Sequence, residues 1–544
     1  MNETKRRNIL LVGIILGLFF AALDQTIVGT ALPRIIGDLG GLNILTWVTT
    51  AYLLTSTTVV PIAGKLGDLF GRRSIYIIGI SLFMIGSALC GTSQNMTQLI
   101  IFRGIQGLGG GILIPFAMIV IGDIFPPHQR GKWQGVIGAV FGFSSIIGPT
   151  VGGWIVDHTT WRYVFYINLP VGILAAVAIY IGLHGEKRRK DKVVIDYAGT
   201  GTLIVGIVSL LLGLSLGGKD YPWGSWQIIA LLSTAVVFIV TFVFIEKNAS
   251  EPILSLDLFK NKVFVVTNMV GFLMGIGMMG SLMFLPLYLQ GVIGVSATSS
   301  GNIMIPMMMA MMTTSMLGGR IVAKVNFRSL FVAGMSIMAV GFYLLSTLTM
   351  YSTELNAVAG IVVIGLGMGL VMPTLTIAVQ SAFSADLRGV ATSATQFFRS
   401  IGGTLGVTIL GVVMNHRSLQ SLNQNFFPVV EKVPGLSTGP FSSLLAKMHA
   451  DPGGSFNVLL SPAAIKQIPL QLQQIMFPPL KLALADSIHL VFLVAVGVMI
   501  LGVTVSLFMG KSKLDKTSDP QSTTSHDPLH ESIGPCVVLD VVNP

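Results

Sequence analysis

The sequence predicts an all-α polytopic membrane protein of fourteen transmembrane helices, two six-helix bundles with two further helices inserted between them. Three observations predict it. Hydrophobic residues make up 52% of the 544 and charged residues only 10%, against about 25% charged in an ordinary soluble domain; the mean hydropathy is +0.79. Apolar stretches of spanning length fall near residues 9–31, 45–64, 74–93, 98–122, 133–156, 163–183, 197–216, 226–245, 263–290, 298–319, 329–349, 356–382, 394–414 and 488–510, each close to the ~20 residues that cross a bilayer. Finally, the chain repeats itself. Gly64-Lys65-Leu66 with Arg73-Ser74-Ile75 returns 255 residues later as Gly319-Arg320-Ile321 with Arg328-Ser329-Leu330. Gly107-Leu108-Gly109, Gly111 and Pro115 return 258 later as Gly365-Leu366-Gly367, Gly369 and Pro373, and Arg130-Gly131 as Arg388-Gly389.

The repeat divides the chain into a first bundle over 1–190, an inserted pair over 191–250, a second bundle over 251–510 with a long outer loop at 415–487, and a polar tail at 511–544 expected to be disordered. The net charge of +10 does not indicate nucleic acid, because the basic residues lie in short loops between apolar runs rather than on one face. One set of alternate loops holds Lys5-Arg6-Arg7, Lys65 with Arg72 and Arg73, and the run from Lys187 to Lys192; outside the long loop the other set holds only Arg34, Arg162 and Lys219. That bias places both termini in the cytoplasm. Trp47, Trp133, Trp154, Trp161, Trp223 and Trp226 lie at or just beyond span ends, where indole rings favour the interface. The N-terminal run carries no small-residue cleavage site and reads as a retained first helix. Two cysteines, Cys90 and Cys536, support neither a disulfide framework nor a thiolate metal site, and the histidines show no metal spacing.

Asp24 lies inside the first span. An ionised carboxylate in hydrocarbon costs several kcal/mol on most estimates, so it faces a polar cavity, pairs with a cation or takes up a proton. It is therefore a candidate proton-coupling group, the alternatives being a fixed structural pair or simple solvation near the outer end. Arg103, in the fourth span, falls at a similar depth at 1.5 Å per residue and is the candidate partner that tunes the carboxyl; snorkelling to the outer headgroups is the alternative. In the loop between spans two and three, Gly64, Gly67 and Gly71 allow a tight turn, Arg72 and Arg73 orient it, and Asp68 is placed to pair with a neighbouring arginine and latch one conformation.

This loop resembles that of the major facilitator superfamily, whose members carry the signature between helices 2 and 3. The fifth span reads Gly138, Gly142, Gly148-Pro149 and Gly152-Gly153, glycines that let helices approach and a proline that loosens the backbone ladder. Gly-Pro-x-x-Gly-Gly is similar to the motif that, within this superfamily, accompanies drug-exporting antiporters. With Leu23 to Val28 and Ala31-Leu32-Pro33 in the first span and Phe398-Arg399-Ser400-Ile401-Gly402-Gly403 in the thirteenth, the chain resembles the fourteen-helix drug:proton antiporters of EmrB/QacA type. The resemblance covers about 9–415 and the last span. It implies the major facilitator fold, with Asp24 as the helix-1 acid, Arg103 as the helix-4 arginine and Asp68 as the gating aspartate. The second copy of the gating loop has Ala323 where the aspartate would stand.

The function implied is proton-coupled multidrug efflux and antibiotic resistance, with lipophilic, often cationic substrates, protons and the bilayer as partners. No cofactor other than the proton gradient, no enzymatic activity and no nucleic acid are expected. Rival readings are an exporter of one lipid, fatty acid or metabolite, and a non-transporting sensor or assembly protein. An adaptor docking at 415–487 is a further candidate partner. Gln25 beside Asp24, and Met307, Met308 and Met311 in a methionine-rich helix, are candidate walls of a substrate cavity, since thioethers repack around unlike ligands; lipid-facing filler is the alternative for the methionines.

Overall fold

Runs of apolar residues broken only by glycine- and proline-marked turns leave the backbone one way to satisfy its hydrogen bonds inside a bilayer, and the chain takes it as helix after helix. The computed structural model describes residues 3–40, 44, 46–183, 195–218, 220–322, 324–384, 386–432, 448, 453–460 and 468–510. Ala323, the basic run at 187–192 and the tail at 511–544 lie outside them, as do 433–447, 449–452 and 461–467 of the long outer loop.

The helices are α1 (Glu3–Leu39), α2 (Thr46–Phe70), α3 (Arg72–Thr92), α4 (Met96–Ile124), α5 (Pro127–His158), α6 (Tyr163–Tyr166), α7 (Asn168–Gly182), α8 (Tyr197–Leu216), α9 (Trp226–Asn248), α10 (Lys262–Tyr288), α11 (Ala297–Ile303), α12 (Ile305–Ile321), α13 (Phe327–Ser346), α14 (Glu354–Ala382), α15 (Arg388–Ser421) and a last long helix, Leu470–Leu507. Among the described residues, twelve helical stretches are long and apolar enough to cross a membrane. The sequence expectation of fourteen adds α2, whose first half is diluted by threonines, and α12, only 17 residues long. Its predecessor α11 ends at Ile303, and Pro306 opens α12, where a missing N–H costs nothing. Only Gly71 separates α2 from α3. Its φ of 90° lies in a region that residues with a Cβ rarely adopt, which explains the last glycine of the loop.

Four apolar cores hold the described residues, the smallest joining α1 to α4 and α6 through Ile27, Ala31, Met96, Leu99 and Phe165. Of the others, one gathers residues from Leu10 to Ile179, a second residues from Val266 to Met509, and a third joins α8 and α9 to α2 and α15 through Val60, Leu203, Ile207, Leu211, Phe242 and Phe397. The two halves meet where α5 packs on α12 and α2 on α15. The inserted α8 and α9 pack on each other, and α9 turns Ile229, Val236, Val237, Val240 and Phe244 outward. On a soluble protein such a face would be an aggregation hazard; against lipid it is the expected surface. The described parts of the long loop fold back, burying Phe426, Phe427, Val430, Met448 and Phe456 in the same core as Leu480 and Leu484.

Candidate functional site

The end of the bundle that holds the Gly71 turn is termed the inner end. Two polar clusters organise the molecule: one deep within the first bundle, the other joining the halves at the inner end.

The deep cluster depends on how closely α4 is held. A Cβ on Gly109 would strike the α3 backbone at Phe83 and Gly79, and one on Gly111 would strike the backbone of Ser56 on α2. Glycine at both positions seats α4 between its neighbours and brings its polar face to α1. There Arg103 Nη1 lies 2.5 Å from Asp24 Oδ2, and Gln106 Nε2 and Asn168 Nδ2 donate to Asp24 Oδ1 at 2.8 and 3.1 Å. Ser87 Oγ accepts from the same two amides at 3.2 and 3.0 Å and donates to the Phe165 carbonyl at 2.8 Å. The guanidinium also lies 4.4 Å from the Tyr52 ring centroid, a favourable cation–π geometry. Asp24 is 0% exposed and Arg103 2%, so the pair is sealed rather than snorkelling. Gln25, one residue on, is exposed.

At the inner end, Asp68 pairs with Arg72 (Oδ1 to Nη2, 2.5 Å), Arg72 Nε reaches Asp123 Oδ2 at 3.1 Å, and Asp123 Oδ1 reaches Arg388 Nη1 at 3.2 Å. Asp68 Oδ2 also accepts from Val390 N at 3.0 Å, where a carboxylate both caps α15 and complements its dipole. The chain of charges thus crosses between halves twice. The repeat is visible here: Gly64 packs against Gly389 and Ser393, while its copy Gly319 packs backbone to backbone against Gly131, the counterpart of Gly389. Gln380 Nε2 adds a bond to the Met118 carbonyl at 3.0 Å. Gly67 lies under the Phe116 ring, and Arg73 stacks 3.8 Å from the Tyr180 ring centroid. Lys65 reaches Glu251 at 2.8 Å, linking α2 to the segment after α9.

The glycines of α5 serve two faces. Gly138 and Gly142 look toward Ser315 and Met308 of α12, whereas Gly148 and Gly152 are covered by Thr26 and Thr30 of α1; Pro149 lies within the helix and a Cβ on Gly153 would meet open space. Thr26 Oγ1 donates to the Ser144 carbonyl at 3.0 Å, fixing α1 against α5 two residues from Asp24. The methionines require a correction. Met307 and Met311 are buried at 1% and 6% exposure, and a Cβ on Gly365 or Gly369 of α14 would meet their carbonyls. They fill the core of the second bundle rather than a cavity wall; of the three candidates only Met308, half-buried, faces the other half.

Sequence reasoning missed Gln106, Asn168, Ser87 and Asp123. Gln106 stands one turn after Arg103 and so shares its face, and Asn168 is the one amide in its apolar segment; polar residues inside spans were the available signal.

Fold and site together define a multi-pass membrane protein of the two-bundle carrier class. Residues 14–407 match the sequence model of the Major Facilitator Superfamily, and the chain belongs to that family. It is 51% identical over 522 residues to the Multidrug transporter protein MdtP of Bacillus subtilis (strain 168), covering 96% of each chain. It is 39% identical to Multidrug resistance protein 3 of the same organism, covering 93% of this chain and 96% of that one. Among solved structures, the human organic anion transporter MFSD10 (TETRAN) superposes with a TM-score of 0.60 over 92% of this chain and 99% of that one; at 13% identity this shows the fold alone.

Proposed function

We propose that this chain is a proton-coupled multidrug efflux antiporter of the plasma membrane, with fourteen spans, both termini in the cytoplasm, and lipophilic, often cationic substrates. The observation that carries the reading is Asp24: a carboxylate 0% exposed within a span, with both oxygens held by donors from α4 and α7. A proton arriving at Asp24 removes the charge that retains Arg103, so protonation and the packing of α1 against α4 are coupled. The inner seal supplies the other half of the cycle. With Asp68, Arg72, Asp123 and Arg388 joined, the inner entrance is closed; opening it requires the charges to part.

Near-full-length similarity to two bacterial proteins named for multidrug transport and resistance supports the substrate class. Energetically, one proton moving down 100 mV supplies about 2.3 kcal/mol, enough for roughly fifty-fold accumulation of a neutral compound at about 1.4 kcal/mol per tenfold. The test is drug-dependent proton release in respiring inside-out vesicles, wild type against Asp24→Asn at matched expression. Release that disappears in the variant supports the reading; equal release discards Asp24 as the carrier, and no release by wild type with a broad panel of lipophilic cations discards multidrug antiport.

A further inference from the structure

The second bundle holds one deep charge that the cycle above does not use. Arg399 lies eleven residues after Arg388 on α15, about 16 Å along the helix at 1.5 Å per residue, on the outer side of the closed seal. Helices α10, α12, α13 and α15 contain no acidic residue at all. Glu354 opens α14 at its outer end, and Asp486 pairs with Arg417 at 3.8 Å. Asp24 is already enclosed by Arg103, Gln106 and Asn168. Arg399 Nη2 donates to Gln396 Oε1, its one hydrogen bond among the described residues, and no acid pairs with it. It is half-buried, and none of its remaining donors is sealed off without a partner.

Helix geometry says which way it faces. At 3.6 residues per turn, Gly402 and Gly406, packed on the α10 backbone at Phe272 and Ile276, mark one side of α15; Ser393 against Gly64 of α2 marks another. Val390, Ala394, Phe397 and Ile401 share the core with α2 and α8. Arg399 lies on the α10 side itself, its carbonyl against Gly275, while Gln396 occupies the strip between the α10 and α2 contacts, toward which their hydrogen bond draws the guanidinium; that strip faces the interior between the halves. A guanidinium stays charged there, and leaving it uncompensated in a membrane is costly. Its free donors form the fork that matches a carboxylate in bidentate fashion.

We propose that Arg399, oriented by Gln396, is the anion-binding group of the substrate path that receives the carboxylate of zwitterionic and acidic amphipathic substrates. The assignment rests on the exporter reading, and the test separates the two. The probes are a fluorescent rhodamine zwitterion with a free benzoate and its methyl ester, which differ only in that charge. Binding to the purified full-length protein in nanodiscs is measured for wild type, Arg399→Gln and Arg399→Lys. The expected result is a loss of about tenfold or more in zwitterion affinity for Arg399→Gln, corresponding to about 1.4 kcal/mol, with ester binding unchanged and Arg399→Lys between. Equal loss of both probes, or no loss of either, overturns the assignment. Should Arg399→Gln fail to fold, a wild-type protein and an Arg399→Lys variant that hold zwitterion and ester in the same ratio overturn it as well. Vesicle export of the ester by wild type is the separate arm: selective binding without export of either probe discards the exporter reading and keeps the anion site.

Discussion

Asp68 Oδ2 accepts the backbone N–H of Val390 at 3.0 Å, so a carboxylate from the first bundle caps a helix of the second. The bond exists only while the halves are together at the inner end, and its loss therefore acts on one conformation. Asp68→Ala also strips Arg72 of one of its two carboxylates. Breaking a buried pair costs about 3–5 kcal/mol, and a shift of only about 1.4 kcal/mol changes a conformational equilibrium tenfold. With Ser393→Cys as a reporter beneath Gly64, labelling by a permeant thiol reagent is expected to run about tenfold faster or more when Asp68→Ala is added. Equal rates would remove the seal from the account.

Glycine substitutions separate the close approaches from the open ones. A Cβ at Gly131 meets the Gly319 backbone, which has no flexible side chain to yield, whereas nothing lies within 4 Å of a Cβ at Gly153. Gly131→Ala and Gly319→Ala are expected to hold the inner end apart and to abolish export at normal expression. Gly153→Ala is expected to leave export within about twofold of wild type, the usual result for substitutions away from packed features. Loss of export in all three variants would mean that α5 cannot be divided in this way.

The link between the gating loop and the inserted pair is weaker. Lys65 and Glu251 are 13% and 24% exposed, so the pair is partly buried and contributes about 1 kcal/mol, the top of the range for exposed pairs. Glu251→Gln should therefore lower export by about fivefold, the equivalent of about 1 kcal/mol. A loss as deep as that of Asp68→Ala would instead make the α9 linker part of the gate.

The all-helical, polytopic architecture was legible because bilayer-length apolar runs are written locally. The pairing of Asp24 with Arg103 was legible too, since two charges at matched depth in spans have few other outcomes. Asp123 was not, because it sits at a helix end where an acid is ordinarily solvated, and only the approach of α3 and α15 gives it two arginines. The methionines misled for a related reason. Composition shows that a thioether can line a cavity, but which face of α12 meets α14 depends on Gly365 and Gly369, residues far away in sequence.

The Asp24–Arg103 pair yields a prediction that distinguishes stability from coupling. Asp24→Asn keeps the shape of the side chain and leaves Arg103 buried with a neutral partner; Arg103→Gln strands Asp24 in the same way. Each single change is expected to cost about 3–5 kcal/mol, because an unmatched buried charge is the expensive state rather than the absence of a pair. In Asp24→Asn/Arg103→Gln no charge remains, and the amides of Gln106 and Asn168 still supply donors. The double variant should therefore recover at least about half of the lost thermal stability. Its drug-dependent proton release should stay absent, since an amide in place of Asp24 has no proton to exchange. Recovery of both properties would assign the carrier to another group, and a double variant as unstable as the two singles combined would mean that the charges do not compensate each other in the fold.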